Sequence, residues 1–349
     1  MPATLFSRGL YVDPTAGKIT VADYFAEWRT LQMHADTTAI KTDWALRAHV
    51  APTPLGRMPI AQARRGHVQA WVKDRGQVLQ PSSLHPVYAY VAGMFRAAAL
   101  DRVIAASPCQ GITLPDLVVA KRFVPTSDQV HDLADGFVSA HARAQGRHYR
   151  AQVCAGAGLG LRQGEIWGLE LDCIDFLRRE VYVRQQLKTI TGRKPFLDAP
   201  KTPTSIRTIE LPDAVALELA ARLERFPARE VEIDDHTDRR RPGRRTARLV
   251  FTNAGAIQRG SFSKPWRAAV KRANLPDDLT MHALRHYYAR LLIHAGASVT
   301  TVQLALGHAN PTITLNRYAG EWPEAIEKTR TLVDAALARP VAARRAASK

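Results

Sequence analysis

From Thr20 to Leu100 the apolar residues recur at helical spacing, and no run alternates at the period of two that a half-buried strand requires. Val21, Tyr24, Phe25, Trp28 and Leu31 mark one face of a first helix that opens at Thr20. More helical material spans 39–49, 61–74 and 83–100, separated by the turn segments APTPLG and LQPSS. The pattern confines residues 19–113 to a small all-helical domain. Residues 1–18, punctuated by Gly9, Pro14 and Gly17, read as a tail or linker. The segment 114–125, with two prolines and the basic pair Lys121 and Arg122, reads as an interdomain linker.

A second domain is expected over 126–338. Thr126 and Gln129 have the spacing of a capping box that opens a helix. After another helix through 150–157 the pattern changes. Residues 169–176 and 180–186 read as a hairpin of short strands, and 207–211 as a third strand. Helices return from Pro212. The stretch 230–248 reads as a polar loop, and its arginine run at 239–245 as a solvated segment. A last helix is expected over about 321–337, with Trp322, Ile326, Thr329, Val333 and Leu337 on one face, followed by a basic tail at 339–349.

Lys and Arg number 49 against 32 Asp and Glu, a net charge of +17 over 349 residues. Such an excess points to an acidic partner, and nucleic acid is the commonest, because cationic side chains release phosphate counterions on binding. No apolar stretch approaches the ~20 residues that span a bilayer. The first residues carry no apolar core of a signal peptide, so a cytoplasmic protein with no membrane partner is expected. Cys109, Cys154 and Cys173 are odd in number and widely spaced, which argues against a disulfide framework or a structural zinc site.

Four segments concentrate chemistry-bearing residues. They are Leu-Gly-Leu-Arg-Gln-Gly-Glu-Ile at 159–166, Ala-Pro-Lys-Thr-Pro-Thr-Ser-Ile-Arg at 199–207, Met-His-Ala-Leu-Arg-His at 281–286, and Leu-Gly-His at 306–308 with Tyr318 ten residues beyond His308. The set resembles the tyrosine recombinase (phage integrase) family, most of all integrases of actinobacterial phages and mobile elements. That family has an Arg in L-R-x-G-E, a Lys in a turn between strands, H-x-L-R, then L-G-H and a Tyr. Leu-Asp-Arg-Val-Ile-Ala-Ala-Ser-Pro-Cys at 100–109 is similar to the family's ending of its helical domain. The resemblance runs from about Lys18 to Pro340. Relatives of this kind often carry an arm-site DNA-binding domain further forward, and this chain starts inside what would be the linker after it.

The resemblance implies a mostly α fold: a helical, SAM-like core-binding domain, then an α+β catalytic domain with a small three-stranded antiparallel sheet, the two forming a clamp around duplex DNA. It implies site-specific cutting and rejoining of DNA through a 3′-phosphotyrosyl intermediate and a Holliday junction, integrating or excising a phage or mobile element. Arg162 and Arg285 would clamp the scissile phosphate. His282 and His308 would contact it, with His282 the general acid/base. Lys201 would protonate the leaving oxygen, Tyr318 would be the nucleophile, and Glu165 would orient the cations. No metal and no cofactor is implied. The partners implied are double-stranded attachment or core sites, a homo-tetramer on two such sites linked by the 322–337 helix, and an accessory DNA-bending or directionality factor.

The chemistry agrees from below. Displacement at a phosphodiester spreads negative charge over the non-bridging oxygens, and fixed cations that meet it are worth on the order of 10²–10³ in rate each. Guanidinium groups suit the task, because their forks pair with phosphate bidentately. A general acid on the leaving alkoxide adds typically ~10²–10⁴; Lys188 and Lys194 lie in the same neighbourhood as Lys201. A tyrosyl ester conserves the energy of the broken bond, so rejoining requires no ATP. His286, Tyr287 and Tyr288 read as packing residues. Gly156, Gly158 and Gly160 read as small residues that allow close approach near Arg162. Two other readings share these residues: a DNA-binding protein on the same fold without catalysis, and a type IB topoisomerase-like enzyme.

Overall fold

The computed structural model describes residues 16–117, 123–140, 143–253, 256–257 and 262–318. The chain divides into two compact units, Met1–Lys121 and Arg122–Lys349. The helix expected over 321–337 and the two chain ends lie outside the described residues.

The first unit is helical. Its helices are α1 (Val21–Thr30), α2 (Asp36–Ala45), the short α3 (Pro54–Arg57), α4 (Arg65–Gly76) and α5 (Pro81–Leu100), with a π-turn at Leu46–Val50 continuing α2. Thr20 caps α1, its hydroxyl accepting from the Asp23 N–H at 3.1 Å. The core joins Val21 and Phe25 of α1 to Val68 and Trp71 of α4 and to Leu84, Val91, Met94 and Phe95 of α5. Leu31 departs from the expected face, being largely exposed just beyond the end of α1.

The second unit opens with α6 (Ser127–Ala140). Its capping box forms: the Thr126 N–H donates to Gln129 Oε1 at 2.9 Å, and the Gln129 N–H to Thr126 Oγ1 at 3.3 Å. The long α7 (Arg143–Leu159) packs against α6, α9 (Asp213–Arg225) and α11 (His282–His294). Between α7 and α9 come α8 (Gln163–Trp167) and five strands: β1 (Ile174–Asp175), β2 (Glu180–Val183), β3 (Gln186–Lys188), β4 (Phe196–Asp198) and β5 (Arg207–Glu210). β1, β2 and β5 form the expected three-stranded antiparallel sheet, with Val181 opposite both Ile174 and Ile209.

The stretch 230–248 is not a loop. It contains β6 (Arg229–His236) and β7 (Gly243–Leu249), an antiparallel pair that joins β3 and β4 in a four-stranded mixed sheet. Its apolar alternation is sparse, with Val231 and Ile233 on β6 facing inward with Ala247 and Leu249 on β7. Charges complete it. Arg245 reaches Glu170 at 2.6 Å and Asp235 at 2.5 Å, and its Nη2 donates to Gln185 Oε1 at 2.9 Å. Arg239, Arg240 and Arg241 occupy the exposed connection between the two strands.

The short β8 (Thr252–Asn253) and β9 (Ala256–Ile257) lead to α10 (Ser263–Arg272), which packs on α6, and then to α11, α12 (Val299–Leu306) and α13 (Pro311–Tyr318). Among the described residues no helix is long and apolar enough to cross a membrane.

Candidate active site

Arg162 is the residue before α8, in an extended conformation, and Glu165 is three residues on. The carboxylate folds back on the helix start. Glu165 Oε2 accepts the Arg162 backbone N–H at 3.0 Å, and Oε1 accepts from Arg162 Nη1 at 2.6 Å. The L-R-x-G-E spacing is therefore a helix cap that also fixes the arginine. Gly160, just before it, has φ +61°, and a Cβ there would fall 2.3 Å from the Tyr288 ring. Both the backbone and the space demand glycine.

Glu165 serves a second guanidinium that the sequence reading gave no role. Arg207 Nη2 lies 3.0 Å from Glu165 Oε2, with 6% and 2% of the two side chains exposed. Arg207 also donates through Nε to the Ala305 carbonyl at 2.9 Å and through Nη1 to the Ser205 carbonyl at 2.9 Å. One signal was present in the sequence: on β5 Arg207 shares its face with the buried Ile209, and an inward arginine requires a buried acceptor.

Arg285 lies in the first turn of α11 and is 2% exposed. Its Nη1 donates to the Gly160 carbonyl at 2.8 Å, and its Nη2 donates to the Leu306 carbonyl. Burial, followed by the nearby Arg162 charge, pushes its guanidinium down to about 9, so it remains a cation at neutral pH. Burial opposes ionisation of Glu165, but Arg207 and Arg162 outweigh it and hold the carboxyl below its usual range. Three guanidinium groups thus gather about one buried carboxylate. The carboxylate thus leaves an excess of positive charge in a desolvated site.

The L-G-H segment is a helix ending. Gly307 sits in the left-handed region at φ 62°, ψ 45°. The Gly307 N–H donates to Leu304 and the His308 N–H to Gln303, each at 3.0 Å, closing a Schellman turn. A Cβ on Gly307 would come 2.9 Å from Ser205 Cα, so the 199–207 segment presses directly on this turn. His308 Nδ1 pairs with Thr314 Oγ1 at 2.8 Å. Burial and then the charges of Arg285 and Arg162 push the His308 imidazole down to about 4.

Lys201 lies on an exposed turn three residues past β4. Its neighbour Ser205 ties the turn to the site, with Oγ 3.3 Å from Arg162 Nη1 and 3.2 Å from the Gly307 carbonyl. Of the alternative lysines, Lys188 is ion-paired to Asp198.

Tyr318, the last residue of α13, is 5% exposed and packs with Ala289, Ile293, Val302 and Leu306. Its hydroxyl is 2.7 Å from Nδ1 of His286, the imidazole expected only to pack. His282 is exposed and accepts from Arg317 Nη1 at 3.2 Å, while its ring meets that of His286 edge-on at 4.7 Å. The fold thus gathers Arg162, Glu165, Arg285 and His308 about the turns that hold them. It places Tyr318 against His286, and leaves Lys201 and His282 at the exposed margin.

A model of the phage integrase family matches residues 126–323. A XerC-like tyrosine recombinase of Caldanaerobacter subterraneus is 25% identical over 91% of this chain and 83% of its own length. An integrase of Mycobacterium phage D29 is 25% identical over 86% of this chain and 74% of its own. Among solved structures, the Tn1549 transposon integrase in complex with transposon right-end DNA superposes with a TM-score of 0.75 at 22% identity, covering 89% of this chain and 99% of that one. A lambda integrase fragment bound as a dimer to a core site superposes with a TM-score of 0.61 at 16% identity, covering 84% and 97%. The motifs, their assembly into one site and the family match over most of the second unit agree: this chain belongs to the phage integrase family of tyrosine recombinases.

Proposed function

We propose that this recombinase cuts duplex DNA at a core site with Tyr318 as nucleophile and rejoins it to a second site, integrating or excising a phage or mobile element. The observation that carries this reading is the gathering of Arg162, Arg207 and Arg285 about the single carboxylate of Glu165. Arg162 and Arg285 stabilise the charge that grows on the phosphate oxygens. His308, held neutral, and His282 donate hydrogen bonds to the same phosphate. The Tyr318 oxygen bonds to phosphorus, the bond to the 5′ oxygen breaks, and Lys201 gives that oxygen its proton. The 5′ hydroxyl of the partner strand then attacks the phosphotyrosine and releases Tyr318, by way of a Holliday junction.

DNA is the partner that the charge of +17 calls for. The Tn1549 and lambda integrases were each solved with DNA. A homo-tetramer on two sites, aided by an accessory bending or directionality factor, would complete the exchange in the bacterial cytoplasm. The test is covalent capture on a nicked suicide substrate. Tyr318→Phe should bind the site as the parent does and form no adduct on a denaturing gel. A persistent adduct would remove Tyr318 from its role.

A further inference from the structure

We propose that His286 is the proton acceptor of Tyr318 in the cleavage step. The inference rests on Tyr318 being the nucleophile. A phenol ionises near pH ~10, so at neutral pH its proton must leave as the bond to phosphorus forms. Nδ1 of His286 stands 2.7 Å from the phenol oxygen, within the reach expected of a general base. Both side chains are buried, each residue being 5% exposed, so the acceptor in direct contact is protein and not bulk water.

The other two imidazoles of the site have polar contacts of their own. His282 Nε2 receives a hydrogen bond from Arg317, and His308 Nδ1 meets Thr314. The direct contact with the phenol gives the base half of the role to His286, one helical turn along from His282. Arg285, next in sequence to His286, is near enough to Tyr318 for their charges to interact, which favours the phenolate that the transfer creates.

The step balances. With its own proton on Nε2, His286 accepts the Tyr318 proton on Nδ1 and becomes an imidazolium as the O–H bond breaks. The phenol oxygen bonds to phosphorus, the phosphorus–5′ oxygen bond breaks, and Lys201 protonates the 5′ oxygen. On rejoining, the Nδ1 proton returns to the departing phenol oxygen.

The experiment measures adduct formation by the full chain on a nicked suicide substrate. His286→Asn keeps an acceptor near the position of Nδ1 but cannot hold the proton, and His286→Ala removes both functions. Each should slow cleavage by about 10²-fold or more while site binding is unchanged. Tyr318 is then replaced by 3,5-difluorotyrosine, a more acidic phenol that needs less help. In the His286→Asn background this should bring the rate to within about tenfold of the fluorinated protein that retains His286. Should the alanine variant fail to fold, the asparagine pair carries the test.

Faster cleavage by either variant would make His286 a restraint on the tyrosine and overturn the proposal. A defect that fluorination leaves unchanged would reduce it to a packing role and overturn it equally. An adduct at Tyr318 that is indifferent to His286 substitution overturns this inference alone. An adduct at another residue overturns the assignment of the nucleophile.

Discussion

Glu165 and Arg207 form a buried ion pair, 3.0 Å from Oε2 to Nη2, between a helix start and a strand 42 residues away in sequence. The same guanidinium holds the carbonyls of Ser205 and Ala305. It therefore joins the Arg162 cap, the Lys201 turn and the helix ending that precedes His308. Breaking a buried pair by removing one partner typically costs about 3–5 kcal/mol. Arg207→Ala should lose stability on that scale in denaturant unfolding. Arg207→Lys should recover little of it, because an ammonium cannot serve three divergent acceptors from one plane. A surface-like loss of under about 0.5 kcal/mol would show that the pair is not a tie.

The acid limb of stability should carry the signature of Glu165. Its carboxyl is held below the usual 4.5 in the folded chain, so its contribution is complete above that value and disappears as pH falls through the folded pKa. The stability gap between the parent and Glu165→Gln should be widest near neutrality and close in acid. Unfolding of both proteins in urea across an acid series checks this. A gap that does not vary with pH would contradict it.

His308 should remain neutral where an ordinary histidine has already charged. Its folded value is pushed down to about 4 from 6.5. Between those values the unfolded chain binds a proton that the folded chain refuses, so this residue withdraws stability as pH falls from 6.5 towards 4. In the DNA-free protein the His308 ring signals should titrate near 4 by NMR. A midpoint near 6.5 would show that the ring is neither desolvated nor repelled by the arginines.

The separate roles of Lys201 and Arg162 can be told apart by the leaving group. Lys201→Ala should slow cleavage by on the order of 10²–10⁴. A 5′-bridging phosphorothiolate should restore it, since a thiolate departs without a proton. Arg162→Ala should gain nothing from sulfur, because its loss is one of charge stabilisation. Equal rescue of both variants, or of neither, would remove Lys201 from the acid's role.

Local patterns were legible in the sequence, and tertiary coincidences were not. The helical period of Val21, Tyr24 and Phe25 gave the first domain its face, and Thr126 with Gln129 gave α6 its cap. Gly307 and His308 were singled out by their likeness to the family's L-G-H motif, and the helix ending they form came only with the structure. The β6–β7 hairpin was hidden because Val231 and Ile233 are its only aliphatic β6 residues, and much of its support is Arg245 reaching Glu170, 75 residues away. His286 was set aside as packing for a similar reason. Nothing near it in sequence announces a phenol 32 residues further on.

Arg285 takes its aim from two main-chain carbonyls, those of Gly160 and Leu306. A peptide oxygen is present whatever side chain its residue bears. Leu306 can be exchanged without deleting the acceptor, and Gly160 is already held to glycine by its conformation. Neutral drift therefore has little purchase on the orientation of this guanidinium. Most of the surrounding side chains can change and leave an arginine that points the same way, provided the two turns that carry those oxygens keep their path.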